Sequence, residues 1–173
     1  YILRDELDNQ PFDVDIIAGN HDLAKKNTRD ISSLRMLDNK ELNKIRFITQ
    51  PLVEPVYGEY RCLFEPWITN ADDRDKFETN LTKVDYVFGH FELPFVSHGE
   101  AILTQDIDDF YGKTRVFSGH YHNPGVHGDN FLYVGSCIHM TWSDANDMKY
   151  FYIYDFEKNE LKKYNLNHLF PNF

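Results

Sequence analysis

Three short apolar runs of this chain each end in a glycine that is followed at once by a side chain able to bind a metal ion. The segments are Gly19-Asn20-His21-Asp22, Gly89-His90 and Gly119-His120-Tyr121-His122. In an open α/β sheet, ligand-binding groups gather beyond the carboxyl ends of the strands, and glycine there allows a sharp turn and leaves room for a ligand. The pattern therefore predicts an α/β fold whose strand ends converge on one site.

Each of these features also has an ordinary structural explanation when it stands alone. A histidine after a strand is often a surface or capping residue, and Gly-Asn-His-Asp is also a turn sequence because Asn, Asp and Gly favour turns. Imidazole is, however, the commonest metal ligand, and a His-x-His pair can aim both rings at neighbouring ions. The three features together favour a metal site over three unrelated turns.

The rest of the chain alternates between predicted strands and polar, helix-compatible segments. We expect strands at 14–18, 45–48, 52–57, 60–64, 84–88, 114–118, 131–134, 150–156 and 160–164, and helical segments at 1–9, 28–37, 71–82 and about 105–111. Gly58-Glu59 is a two-residue turn between two of the strands. With 42% hydrophobic residues, residues 1–173 predict a single domain with its own core.

Charge and cysteine content exclude some classes of function. The formal net charge is −10, which argues against a basic nucleic-acid-binding groove within this segment. Contact with phosphate through a bound cation stays compatible with that charge, because bound cations dominate the local field. The two cysteines, Cys62 and Cys137, do not form a disulfide framework, and no apolar stretch has the length of a membrane span. We therefore expect a cytoplasmic protein with no membrane partner.

The three motifs, in this order, resemble the last three motifs of the calcineurin-like metallophosphoesterase superfamily. The runs DVDIIAGNHDLAKKNT, FEPWI, VFGHFEL, VFSGHYHNPG, FLYVGS and YFYIYDFEKNE are similar to the SbcD-type nuclease family. Within that family they look most like the nuclease subunits of recombination endonucleases of T-even-like phages. The resemblance covers almost the whole chain and implies a β-sandwich flanked by helices, here a partial one.

The resemblance also implies a role for each motif residue. Asn20, His90 and His120 match the ligands of one divalent cation, and His122 matches a ligand of a second. His21 matches the catalytic histidine that stabilises the transition state or protonates the leaving oxygen, and Asp22 would orient it. The cofactors implied are two divalent cations, manganese with magnesium as the alternative, which together clamp a phosphate.

The chain departs from the superfamily pattern before the first of these motifs. The superfamily begins with Asp-x-His and Gly-Asp-x-x-Asp, and neither occurs in the 18 residues before Gly19. Asp13 and Asp15 are interpreted as solvated charges. Four metal charges would then be held by an amide and three neutral imidazoles without a bridging carboxylate. We expect the chain alone to bind one cation weakly, to be inactive or nearly so, and to be an N-terminally incomplete domain.

The partners and the alternatives follow from the same resemblance. It implies a DNA nuclease that acts in recombination or repair with an SbcC-type coiled-coil ATPase, and that needs a missing N-terminal segment or a complementary chain; a homodimer is a further option. Two alternatives stay open: another metallophosphoesterase, such as a phosphatase or nucleotide phosphodiesterase, and a non-catalytic remnant that binds a partner. Trp142 is expected in the core, with stacking on a nucleobase as its alternative.

Overall fold

The computed structural model describes residues 2–37, 42–92 and 114–169, which form a mixed α/β fold with few helices. The strands are β1 (Val14–Ile17), β2 (Leu23–Lys25), β3 (Thr28–Ser32), β4 (Ile45–Ile48), β5 (Leu52–Val56), β6 (Tyr60–Glu65), β7 (Tyr86–His90), β8 (Arg115–Gly119), β9 (Gly125–His127), β10 (Phe131–Tyr133), β11 (Tyr150–Asp155) and β12 (Glu160–Asn165). The helices are α1 (Ile2–Asp8) and α2 (Ala71–Leu81), and single 3₁₀ turns lie at Asn20–Asp22, Ser33–Met36 and Trp142–Asp144.

A six-stranded sheet organises the described part of the chain, with the strand order β5-β6-β7-β8-β10-β9. The four inner strands β6, β7, β8 and β10 run parallel to one another. The outer strands β5 and β9 pair antiparallel with their neighbours. The carboxyl ends of the four inner strands therefore lie at the same edge of the sheet, where ligand sites form in α/β folds.

Alternating side chains of the inner strands give this sheet two packed faces. Leu63 of β6 lies in one core cluster together with Phe77 of α2. Its neighbours Cys62 and Phe64 point to the opposite face, where they pack with Ile48 of β4. Strands that are buried on both faces carry near-continuous apolar runs, which is typical of parallel sheets. Burial on both faces of the sheet thus explains the apolar runs from which these strands were predicted.

Helix α2 begins at a side-chain cap. The side chain of Asn70 accepts a hydrogen bond of 3.0 Å from the backbone N–H of Asp73. Such a cap satisfies one of the backbone donors that a helix leaves open at its start. Phe77 is the buried residue of the helix, and the remaining side chains are mostly polar. The helix therefore covers the sheet through a narrow apolar contact.

A separate parallel pair, β1 and β4, is fastened to the large sheet near its carboxyl edge. Ala18 N–H donates to Ile48 O at 3.0 Å, which extends the pairing of these strands by one residue. Ala18 O in turn accepts from Trp67 N–H, in the loop after β6, at 3.0 Å. This contact brings the segment that follows β1 to the edge where β6, β7 and β8 end.

Most predicted elements agree with the structure to within about two residues, and one prediction of element type is wrong. Residues 28–37 form β3 and a 3₁₀ turn instead of a helix. The strand pairs with β2, which the sequence did not indicate, and it turns Arg29 into the interior, where it forms an ion pair with Glu65. Strand β9 was also missed, and the helix predicted at about 105–111 lies outside the described residues.

The fold class predicted from the sequence is confirmed at the level of a mixed α/β protein with a central sheet. The metallophosphoesterase sandwich itself stays a prediction. Among the helices of the described ranges, none combines the length and the apolar character that crossing a membrane requires. Cys62 is buried and Cys137 is exposed, and both are free thiols.

Candidate functional site

Two of the predicted histidines lie side by side at the carboxyl edge of the large sheet. His90 is the last residue of β7, and His120 follows β8 directly. These strands are parallel neighbours, and His90 is paired with Gly119 in their register. The rings of His90 and His120 therefore lie close together, with centroids 5.3 Å apart. Asn20, on the turn after β1, places its Oδ1 3.2 Å from His90 Nε2. The structure thus brings Asn20, His90 and His120 together, and their role as metal ligands stays a prediction.

The ring of His90 is confined by two of the motif glycines. A Cβ atom added at Gly19 would lie 2.7 Å from Cε1 of this ring, and one added at Gly119 would lie 2.9 Å from its Nδ1. Both distances are shorter than real Cβ contacts. The glycines before Asn20 and His120 are therefore required for close approach, and any larger residue would displace the imidazole.

Trp67 packs against both histidines, and the sequence did not mark it as a site residue. Its ring centroid lies 5.3 Å from that of His120 and 6.1 Å from that of His90. The backbone of Trp67 is held by the buried Arg29, whose Nε donates to Trp67 O at 2.9 Å while its Nη2 donates to Glu65 Oε1 at 2.7 Å. The position of Trp67 two residues beyond a strand end is the signal that would have identified it.

Burial keeps the two histidines in the neutral form that binds cations. Burial, followed by the charges of His120 and His21, lowers the pKa of His90 to about 4. Burial also lowers the pKa of His120, although the carboxylate of Glu92, 4.0 Å from His120 Nε2, acts in the opposite direction. Neutral imidazoles at neutral pH have a lone pair available for a ligand. Glu92 brings a carboxylate close to the pair and was not predicted.

His120 has a backbone conformation that is uncommon for a residue with a side chain. Its φ is 95°, in the region that glycine occupies freely and other residues occupy at a cost. Such strain persists only where the surroundings impose it, and it clusters at functional sites. The ring of His120 is held by Trp67 on one side and by Tyr121, whose centroid is 4.7 Å away, on another.

The two predicted catalytic residues lie on the 3₁₀ turn that follows β1. His21 is exposed, and it is close enough to His90 and His120 for its charge to affect the pKa of both. The carboxylate of Asp22 accepts a hydrogen bond of 2.8 Å from Gly19 N–H and so closes this turn. The structure gives Asp22 a role in holding the loop, and orientation of His21 by Asp22 stays a prediction.

His122 lies beyond His120 on the loop after β8, with 42% of its side chain exposed. Its Nδ1 is 3.0 Å from Oδ2 of Asp144, a buried residue of the Trp142–Asp144 turn. Burial by itself would raise the pKa of Asp144, but hydrogen bonds from Met140, Thr141 and His122 lower that pKa well below its usual range. The charge of His122 also lowers the pKa of His120, so the two side chains are close enough to interact electrostatically.

The donor atoms fit one side of a metal centre. The 3.2 Å between Asn20 Oδ1 and His90 Nε2 is close to the distance of about 3 Å between neighbouring octahedral ligands that each lie about 2.1 Å from an ion. Within residues 2–37, 42–92 and 114–169, however, no group of three or more His, Cys, Asp or Glu side chains is arranged to hold a metal ion. The described residues thus bring an amide oxygen and two imidazoles together, and their use by a cation stays a prediction.

The structure contradicts the prediction that was made for one residue of this region, Trp142. Trp142 was expected in the core, and 85% of it is exposed. It lies on a single turn that is fixed to the protein through Asp144 instead of through an apolar face. The Thr-x-x-Asp spacing of Thr141 and Asp144 is a capping-box pattern, so the turn was detectable in the sequence. The contact with His122 was not.

Comparison with known proteins relates this chain to a phage exonuclease subunit. No protein-family model matches it. The chain is 26% identical over 156 residues to exonuclease subunit 1 of Enterobacteria phage T4. The aligned part covers 87% of this chain and 44% of that protein, so the chain spans less than half the length of this relative.

Proposed function

We propose that this chain supplies part of the catalytic site of a DNA nuclease that hydrolyses phosphodiester bonds with two divalent cations, manganese by preference. The proposal is supported chiefly by the close approach of three side chains. Asn20, after β1, contacts His90 at the end of β7, and His90 lies beside His120 after β8. Similarity to a phage exonuclease subunit supports nucleic acid as the substrate.

In the proposed site, each residue of this chain has a distinct task. Asn20 Oδ1 and the imidazoles of His90 and His120 donate to one cation, and His122 donates to the other. Bound cations would neutralise the phosphate and supply an activated water. His21, which is exposed, would hydrogen-bond the phosphate or give a proton to the departing oxygen.

We further propose that the bridging carboxylate of the two cations comes from outside the described residues. Two divalent cations bring four positive charges together, and an amide with three neutral imidazoles offsets none of them. The active unit would therefore include more polypeptide than residues 2–37, 42–92 and 114–169. The relative is itself named as a subunit, which supports a partner, and we propose an SbcC-type coiled-coil ATPase in that role.

The proposal is tested with the complete product of the gene, purified with and without its partner. We expect manganese-dependent cleavage of linear DNA and no comparable hydrolysis of p-nitrophenyl phosphate. His120→Ala should reduce cleavage by at least about 100-fold because it removes a metal ligand, whereas His168→Ala, at an exposed position, should leave it unchanged. Preference for the phosphomonoester would favour a phosphatase instead, and full DNA cleavage by His120→Ala would overturn the proposed site.

A further inference from the structure

The side chain of His122 contacts a carboxylate that is itself rigidly held. The side chain of Asp144 is 5% exposed and accepts from the backbone N–H groups of Met140 at 2.8 Å and Thr141 at 3.0 Å. The hydroxyl of Thr141 donates to the other carboxylate oxygen at 3.0 Å. These donors orient the carboxylate, and His122 Nδ1 lies 3.0 Å from Oδ2 and 3.2 Å from Oδ1.

The backbone of His122 is held by the same loop through a second contact. Lys149 is completely buried, and its Nζ donates to His122 O and to Ser136 Oγ, both at 3.1 Å. Ser136 N–H also donates to His122 O, at 3.0 Å. The ammonium lies 4.0 Å from Asp144 and 3.7 Å from Asp147, so the buried carboxylate has a nearby countercharge. His122 is thus fixed at both its ring and its carbonyl.

The donors around Asp144 determine which ring nitrogen of His122 has the proton. An ionised carboxylate only accepts hydrogen bonds, and Asp144 already accepts from two N–H groups and one O–H group. The nitrogen that faces it must therefore be a donor. In the neutral ring this leaves the lone pair on Nε2, since one imidazole nitrogen donates while the other accepts.

We propose that Asp144 is a positioning residue that locks His122 in the Nδ1–H tautomer and so reserves Nε2 for a cation. A carboxylate behind a metal-binding histidine fixes the tautomer and the ring orientation in this way. The tautomer follows from the contacts of Asp144 alone, and the use of Nε2 for a metal rests on the proposed function.

The tautomer is measured first, in the metal-free protein, from two-bond ¹⁵N–¹H correlation spectra of the histidine rings. We expect His122 as Nδ1–H in the parent protein. Asp144→Asn should weaken the preference for Nδ1–H, because the amide oxygen must still accept from Met140 and Thr141 at the Oδ2 position. The NH₂ group then takes the Oδ1 position, 3.2 Å from Nδ1, where it favours an unprotonated nitrogen. Asp147→Asn is the matched control, since it removes the same charge beside Lys149 without a contact to His122, and should change nothing.

Metal binding is measured second, in the complete product of the gene instead of the 173-residue chain, from the broadening of His122 ring signals by Mn²⁺. Asp144→Asn should raise the Mn²⁺ concentration needed by about 10- to 100-fold, and Asp147→Asn should not. An Nε2–H ring in the parent protein would overturn the inference even if the Asn variant does not fold. So would equal Mn²⁺ broadening in the parent and Asp144→Asn. A confirmed tautomer without any Mn²⁺ effect would leave the role of Asp144 intact and count against the proposed function.

Discussion

At the scale of single residues, the site depends on how closely backbone and imidazole approach each other. His90 lies between Gly19 and Gly119, and both positions lack room for a Cβ atom beside its ring. His120 adopts a positive φ, which is costly without a fixed environment. The close packing around His90 therefore depends on these two glycines as much as on the histidine itself.

Gly19→Ala should displace the His90 ring, because the new Cβ would lie within 2.9 Å of three of its atoms. We expect a loss of unfolding free energy of about 1–3 kcal/mol, as for other overpacked sites, together with shifted His90 ring signals in NMR spectra. Stability is measured by urea denaturation.

The control for this substitution is Gly58→Ala. Gly58 has a positive φ, unlike Gly19, and has open space around its Cβ position, so its replacement should lower stability through backbone strain and leave the His90 signals in place. Unchanged His90 signals in Gly19→Ala would contradict the close approach.

At the scale of elements, the site is supported from behind by a buried link between β3 and β6. Arg29 of β3 donates to Glu65 at the end of β6 and to the backbone of the loop that follows. That loop presents Trp67 to His90 and His120. The small hairpin of β2 and β3 therefore fixes the surface on which the two histidines lie.

This link should make stability depend on pH. Burial raises the pKa of Glu65 to about 7, although Arg29 acts to lower it. A carboxyl with a raised pKa binds its proton more tightly when folded, so the free energy of unfolding should fall as pH rises from about 4.5 to 7 and then level off. A shift of this size corresponds to roughly 3 kcal/mol.

Denaturation of the parent protein and of Glu65→Gln across this pH range isolates the effect, because glutamine does not ionise. The parent should lose stability relative to the variant as the pH rises. Glu59→Gln, at an exposed turn position, should run parallel to the parent. A pH-independent difference between the parent and Glu65→Gln would contradict the raised pKa.

At the scale of the whole molecule, the net negative charge and the neutral side chains of the candidate site limit the activity expected of this chain by itself. The net charge is −10, which opposes direct DNA binding. The clustered donors Asn20, His90 and His120 are neutral. The chain also spans 44% of the phage relative, so the activity of the entire protein stays a proposal.

Titration of manganese into the 173-residue chain should show one weak site and no cleavage of linear DNA, because the neutral donors do not offset the repulsion between two cations. His90→Ala should weaken this site by about 10-fold or more, as measured by calorimetry, and His168→Ala should not. Efficient DNA cleavage by this chain alone would refute the prediction.

The sequence by itself indicated most of the strands and the places of the candidate site residues that follow them. Apolar runs that end in Gly-Asn-His-Asp, Gly-His and Gly-His-x-His are local patterns, and the parallel sheet follows from their two-sided apolar character. Residues 28–37 were misread because strand β3 pairs with β2 and buries Arg29 beside Glu65, a context that local propensity does not register.

Only the tertiary structure decided which side chains support the histidines of the candidate site. Trp67 lies under His90 and His120, Glu92 lies beside His120, and Asp144 lies behind His122. Each of these contacts joins residues that are more than 20 positions apart in the sequence. Such pairs are made by the order of the strands in the sheet and by the path of the loops between them, and neither spacing nor residue type within a motif specifies that order.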